Sequence, residues 1–117
     1  MTLAEVFAYA ADRYGSTPQY LWQASPDSGV LRHGTDGKWY AVFTPRPAHT
    51  LGLPGDARLD LLSVKAAPAL IEMLRGSDGY HPAYHMNRKH WISLRLDGSV
   101  PRDQVLALLD GSFDLTG

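Results

Sequence analysis

Seven of the eight side chains in residues 84–91, which read YHMNRKHW, are polar or aromatic. Basic side chains beside an aromatic ring suit contacts to phosphate groups together with stacking on bases, which is the chemistry of a nucleic-acid surface. The candidate nucleic-acid-binding residues are Lys38, Lys65, Asn87, Arg88, Lys89, Trp91 and Arg95. On composition alone, a solvated loop at Arg88-Lys89 and a strand end at Lys65 are the simpler interpretation. The run therefore predicts either a contact surface or a polar rim over the core.

Three histidines in and beside this run raise the question of a metal site. They are His81, His85 and His90. Pro82 argues against a helix that would hold the first two on one face, and strand alternation would point His90 away from His85. Because no acidic residue lies between them, they form no hydrolase-like metal motif. We predict no metal, no cofactor, and a structural or surface role for these histidines.

Four residues are expected to support the run rather than to bind a ligand. They are Tyr84, His85, His90 and Ser112. Tyr84 and His85 can lie at the edge of the core, where their polar tips reach backbone partners. Ser112 lies in the sequence DGSF, which lacks the flanking glycines of a nucleophile elbow. No catalytic residue is predicted, and binding is favoured over catalysis.

The strand that follows the run must position it, and residues 90–96 alternate between two faces. The two sets are Ile92, Leu94 and Leu96 on one face, and Trp91, Ser93 and Arg95 on the other. If the aliphatic set packs against helices, Trp91 and Arg95 lie on the helix-free face, where a large aromatic is less expected. Trp91 is therefore predicted to be partly exposed there, or covered only by a loop such as 44–58.

Three helices are predicted from capping signals and apolar spacing. The first spans residues 3–14 and begins with a capping box made by Thr2 and Glu5. The second spans 68–76, with a proline in its first turn. The third begins at Pro101.

The predicted strands are short β-prone runs separated by turns. They are residues 20–22, 30–32, 38–43, 59–65 and 90–96. A tight turn at Asp36-Gly37 joins two of them as a hairpin, whereas 44–58 and 79–82 are predicted to be loops. Short antiparallel connections favour a two-layer α+β sandwich over a parallel sheet. We predict one such domain over residues 1–117.

Composition limits the classes of function. A chain of 117 residues, 44% hydrophobic and 20% charged, fits one globular core. The absence of cysteine excludes disulfides and thiolate chemistry. No apolar run approaches the roughly 20 residues of a membrane span, and the N-terminus lacks a signal-peptide pattern. We therefore expect a cytoplasmic protein with no membrane partner.

The charge is small overall but uneven along the chain. The net charge of -1 gives no general attraction to nucleic acid. Within residues 80–102, four basic residues face one acidic residue, a net of +3, whereas residues 103–117 carry three aspartates and no base. A local basic patch is predicted, provided that the fold keeps the acidic segment away from it.

These residues and their surroundings resemble the MmcQ/YjbR family. Residues 81–93, HPAYHMNRKHWIS, match its aromatic-His-x-Asn-Lys-x-His-Trp-Ile pattern, and residues 112–113 match a later Ser-aromatic pair. Further matches lie at 14–22, 32–40 and 61–65, so the resemblance covers nearly the whole chain. Two departures are Arg88, where the family often has lysine, and Phe113, where it usually has tyrosine.

The resemblance implies a frataxin-like (CyaY-like) fold, with an antiparallel sheet and helices packed on one face. It also implies a DNA-binding role in which strands and loops of the open face form a double-wing surface. We therefore expect a monomer that binds DNA weakly and in a salt-sensitive way. One alternative is a protein-interaction adaptor that docks its partner on the open sheet face or the 44–58 loop. Another is an enzyme acting on a small ligand near His85, His90 and Ser112.

Overall fold

The computed structural model describes all 117 residues. It contains eight helices and strands and one short 3-10 helix. In chain order they are α1 (Leu3–Tyr14), β1 (Gly29–Arg32), β2 (Trp39–Pro47), the 3-10 helix (Ala48–Leu51), β3 (Arg58–Lys65), α2 (Pro68–Leu74), β4 (Tyr80–Pro82), β5 (Trp91–Arg95) and α3 (Arg102–Thr116). The strands form one antiparallel sheet in the order β1-β2-β3-β5-β4. The predicted α+β class is confirmed.

One hydrophobic core joins the helices to a single face of the sheet. Seventeen buried residues form it, including Val6 of α1, Ile71 of α2 and Leu109 of α3. Phe7 packs edge-on against Phe43 of β2, with ring centroids 4.9 Å apart. The local signals for α1 are confirmed, since its capping box is formed and Gly15 ends it in the left-handed conformation. The opposite face of the sheet carries no α-helix, and the 3-10 helix borders it near Leu61.

Strand β5 alternates as its sequence predicts. Ile92 and Leu94 are 2% and 0% exposed and belong to the core. Trp91 pairs with Lys65, and Arg95 pairs with Leu61, at opposite ends of the β3–β5 ladder. By this alternation Arg95 lies on the helix-free face, as predicted. Trp91 begins the strand and also borders α2, where it lines a cleft with Ile71.

The predicted strand at 20–22 is wrong. Only Gln19 reaches the sheet there, through an isolated bridge to Val30. Tyr20, Leu21 and Trp22 are 55%, 42% and 38% exposed. The chain leaves the edge strand β1 after Gln19 in spite of the β-propensity of these residues, and Trp22 packs edge-on against Trp39 at 5.7 Å.

Two predicted loops contain strand residues. Strand β2 continues to Pro47, because β1 pairs with it only as far as Phe43 and leaves an edge on which proline is tolerated. Residues 80–82 form the edge strand β4 against β5. Gly79 makes this possible: its φ is +90°, and a Cβ there would lie 2.6 Å from side-chain atoms of Ser99 and Val100.

No helix in the chain combines the length and the apolar character needed to cross a lipid bilayer.

Candidate nucleic-acid interface

Several candidate cations lie at one end of the sheet. Lys65 ends β3 and pairs with Trp91, the first residue of β5. Because Ala41 pairs with Val64, the start of β2 lies at this same end, and Lys38 immediately precedes it. Neighbouring strands are about 4.8 Å apart, so Lys38 and Trp91 flank Lys65 within about 10 Å. We call Lys38, Lys65, Arg88, Lys89 and Trp91 the basic row.

Asn87 builds the turn that presents Arg88 and Lys89. Its backbone carbonyl accepts hydrogen bonds from the N–H groups of Trp91 (2.9 Å) and His90 (3.3 Å). Its side-chain oxygen accepts from the N–H of Lys89 at 2.8 Å. Arg88 and Lys89 are left exposed at the tip of the turn. Asn87 therefore acts here as a positioning residue for the two cations.

The segment before this turn is anchored onto the helix-free face. The N–H of Tyr84 donates to Ser93 Oγ at 3.2 Å, and Ser93 Oγ lies 2.7 Å from Ser63 Oγ. Both serines are buried. At the other end, the carbonyl of His90 accepts from Ala66 N at 3.0 Å. The run 84–91 therefore packs across the open face instead of projecting from it.

The charges of the basic row are mostly free of acidic partners. Arg88, Lys89 and Lys65 take part in none of the eight ion pairs of the molecule. Lys38 lies at the limit of ion-pair distance, 4.0 Å from Asp36. Unpaired surface cations can bind phosphate without first losing an internal partner.

Arg75 joins this surface, although sequence reasoning did not single it out. With Arg88 and Lys89 it lines an open depression of about 400 Å³ between α2 and the turn. Glu72 also lies there, 3.1 Å from Arg75. The position of Arg75 in the sequence did not indicate this contact, because Arg75 precedes the basic segment 80–102 and meets Arg88 and Lys89 only in the folded protein.

Arg95 does not belong to the basic row. Its side chain is only 7% exposed, with Nη2 2.8 Å from Asp78 and Nε 3.0 Å from Asp97. Burial opposes ionisation of Asp97, but hydrogen bonds from Ser99 and the charge of Arg95 lower the pKa of that carboxyl overall. The alternation of residues in β5 predicted the correct sheet face for Arg95. It could not show that Asp78 and Asp97 pair with the guanidinium charge.

Trp91 is partly buried at the edge of this surface. It lines a small cleft of about 30 Å³ together with Arg88 and Ile71. The indole therefore borders α2 and Arg88, and Lys65 is its neighbour in the β3–β5 ladder. This position is compatible with stacking on a base, which needs only one open ring face or edge.

Ser112 has a structural role. Its hydroxyl is fully buried, donates to the carbonyl of Tyr40 at 2.6 Å and accepts from the N–H of Lys65 at 2.8 Å. It thereby joins α3 to the ends of β2 and β3. Phe113 stacks on Tyr14 with centroids 4.2 Å apart, so the residue at this position packs between helices.

The histidines of the run are not brought together. His81 Nε2 lies 3.4 Å from Arg95, and burial followed by that positive charge lowers the pKa of His81. His85 is exposed and packs against Tyr84, whereas His90 lies in the turn. No group of three potential metal-ligating side chains converges anywhere in the chain.

The chain has the fold of a class of small α+β proteins. A family model named YjbR matches residues 11–115, and the chain belongs to the YjbR family. YyaQ of Bacillus subtilis is 34% identical over 116 residues, covering 99% of this chain and 98% of YyaQ. YjbR of Escherichia coli is 40% identical over 53 residues, covering 44% and 45% of the two chains.

Solved structures agree with this assignment. A crystal structure of a Pseudomonas syringae protein matches with a TM-score of 0.95 and 38% identity over the whole of both chains. A Deinococcus radiodurans protein with a DUF419 domain matches with a TM-score of 0.76 and 26% identity, covering 97% of this chain and 77% of that one.

Proposed function

We propose that the protein binds nucleic acid weakly through the basic row. The observation that carries the proposal is the placement of unpaired Lys65, Arg88 and Lys89 around Trp91 at one end of the sheet. Cations beside an aromatic side chain can contact the backbone and stack on an unpaired base at the same time. We therefore expect single strands to bind at least as well as duplexes.

The affinity should be low and strongly dependent on salt. Four cations neutralise at most about four phosphates, so log K against log salt should have a slope of about −3 for a single strand. The net charge of -1 adds no long-range attraction. Ser112 also holds the acid-bearing helix α3 beneath Lys65, which weakens the local positive potential.

A titration of labelled single-stranded and duplex oligonucleotides by fluorescence anisotropy tests the proposal. Arg88→Ala with Lys89→Ala should reduce the salt slope by about 1.4, because two phosphate contacts are lost. The matched control is Arg58→Ala with Arg102→Ala, which removes two exposed arginines that are 63% and 54% exposed and already ion-paired elsewhere. Absence of binding at low salt, or an equal loss in the control, would contradict the proposal.

Trp91→Ala separates packing from binding. A base stacked on an aromatic ring contributes about 1–3 kcal/mol, so the variant should lose affinity of that order. Urea unfolding of the same variant measures how much Trp91 contributes to the fold. A loss of about 3–5 kcal/mol in stability would instead identify Trp91 as a packing residue.

A role as a protein-binding adaptor is the second candidate. The observation that favours it is the exposed apolar run Tyr20, Leu21 and Trp22 beside the open face. A pulldown from nuclease-treated lysate distinguishes the two roles. A specific partner retained after nuclease treatment supports the adaptor, whereas one lost with the nucleic acid supports the first proposal.

A further inference from the structure

A second concave site lies on the helix-free face, away from the basic row. It has a volume of about 370 Å³, within the range of small-ligand sites. Val42 and Ser63, which pair directly in the β2–β3 ladder, form its floor. Trp22 and Tyr84 also line it. We call this site the open-face cavity.

Arg46 supplies the positive charge of the open-face cavity. Its guanidinium carbon lies 4.5 Å from the centroid of the Tyr84 ring. Its Nε is buried and has no hydrogen-bond partner, and Arg46 takes part in no ion pair. The cavity lining contains no aspartate or glutamate. A guanidinium with an unpartnered N–H and no carboxylate beside it favours an anion that binds to the group.

Hydroxyl groups line the remainder of the floor. Ser28 Oγ lies 2.7 Å from Thr44 Oγ1, and both residues line the cavity. Ser63, which also lines it, has its Oγ 2.7 Å from the Oγ of the fully buried Ser93, which does not. In each pair only one proton is needed for the shared bond. Either Ser28 or Thr44 therefore keeps a proton for a ligand, and Ser63 keeps one when Ser93 donates the shared bond.

The backbone of His85 is held in an unusual conformation beside this cavity. Its φ of +57° is the only positive value outside glycine. This region costs a non-glycine residue about 1–2 kcal/mol. The conformation sets the imidazole against Tyr84, with ring centroids 4.1 Å apart, and both side chains line the cavity. Strained residues of this kind concentrate at ligand sites.

We propose that the open-face cavity binds a small organic anion, a carboxylate or phosphate monoester that carries a flat ring. Arg46 takes the anionic group, the serine and threonine hydroxyls donate to it, and the ring packs against the aromatic side chains of Trp22 and Tyr84. The site shares no residue with the basic row. It therefore adds a ligand to the protein independently of nucleic-acid binding.

Side-chain NMR of 15N-labelled protein tests the site directly, because the Nε–Hε signal of Arg46 reports on the guanidinium group that should bind the anion. The probes are phenyl phosphate and benzoate, with benzamide as the neutral control. We expect saturable shifts of the Arg46 signal with one or both anions, and at least about tenfold weaker binding of benzamide. The two anions distinguish a phosphate ligand from a carboxylate ligand.

Arginine variants test whether the anion binds at Arg46. Arg46→Gln should weaken anion binding about tenfold or more, since it removes a charge-assisted hydrogen bond. Arg58→Gln is the matched control, because Arg58 lies across the same ladder from Pro47 and is exposed and paired with Asp27. If Arg46→Gln fails to fold, Arg46→Lys keeps the charge but loses the planar fork, and it should bind several-fold more weakly.

Three results would overturn the proposal: no saturable shift with either anion up to about 10 mM, equal binding of benzamide, or equal weakening by Arg58→Gln. The double variant Arg88→Ala with Lys89→Ala should leave anion binding unchanged. Failure of the basic row and failure of the open-face cavity are therefore separate outcomes.

Discussion

Replacing Arg95 with alanine should destabilise the fold, because the guanidinium is a structural cation. It joins β5 to Asp78 before β4 and to Asp97 in the turn that follows. At neutral pH the variant leaves Asp97 with its charge and without its partner. Any loss of nucleic-acid binding should therefore follow the fraction of unfolded protein.

The expected loss in the free energy of unfolding follows from the exposed fractions of the three paired side chains. Arg95 is 7% exposed, Asp97 29% and Asp78 81%. Breaking a buried ion pair costs about 3–5 kcal/mol, and an exposed pair contributes about 0–1 kcal/mol. The bond to Asp97 lies between these limits and the bond to Asp78 near the lower one, so we expect a loss of about 2–3 kcal/mol. Arg95→Met keeps the apolar stem and should lose about 1 kcal/mol less.

Urea unfolding followed by circular dichroism measures this loss. A double-mutant cycle with Asp97→Asn should give a coupling energy of about 0.5 kcal/mol or more, as expected for residues in direct contact. The interpretation would be refuted if Arg95→Ala unfolded within about 0.5 kcal/mol of the wild type and yet lost nucleic-acid binding. Arg95 would then be a contact residue.

Three further predictions concern protonation and buried hydrogen bonds. Burial and a hydrogen bond to Asp110 raise the pKa of Tyr14. As the pH rises, Tyr14 therefore loses its proton in the unfolded chain before it does so in the folded one. The free energy of unfolding should fall above about pH 10, by at most about 1.4 kcal/mol per pH unit for this group. Tyr14→Phe should flatten that slope in chemical denaturation measured at several pH values. Burial and then the charge of Arg95 lower the pKa of His81, so the unfolded chain binds this proton more readily than the folded one. The free energy of unfolding should therefore fall below about pH 6.5. If His81→Gln left the decrease in stability at acid pH unchanged, this interpretation would be contradicted. Ser112→Ala leaves a buried carbonyl and a backbone N–H without their partner and should cost about 2–3 kcal/mol in urea unfolding, with a loss below about 1 kcal/mol as the contrary result.

Local sequence patterns correctly predicted features whose cause lies within a few residues along the chain. The capping box of α1 involves residues three apart, and the parity of β5 follows from a period of two. The fold class follows from the spacing of such elements. These features could be predicted because the physical cause lies within a few residues of its effect.

Features that depend on distant partners could not be predicted in this way. Arg46 lies between two prolines, and its strand forms only because β3 supplies an edge. Arg95 has the same alternation as a surface residue, but Asp78 reaches it from another turn. The run 20–22 has strand propensity, but the chain leaves the edge strand β1 after the bridge at Gln19, and Trp22 packs against Trp39. In each case the deciding contact is between segments that are separate in the sequence.

The most direct test of the proposed nucleic-acid interface is an amide 15N NMR titration with a short single-stranded oligonucleotide at low salt. We predict that the shifted signals cluster at Lys65 and at 86–91, extend to Lys38, and leave α1 and α3 unchanged. The shifts should diminish as salt is raised, because the contacts are to phosphates. An absence of shifts at low salt, or shifts confined to the helices, would contradict the account.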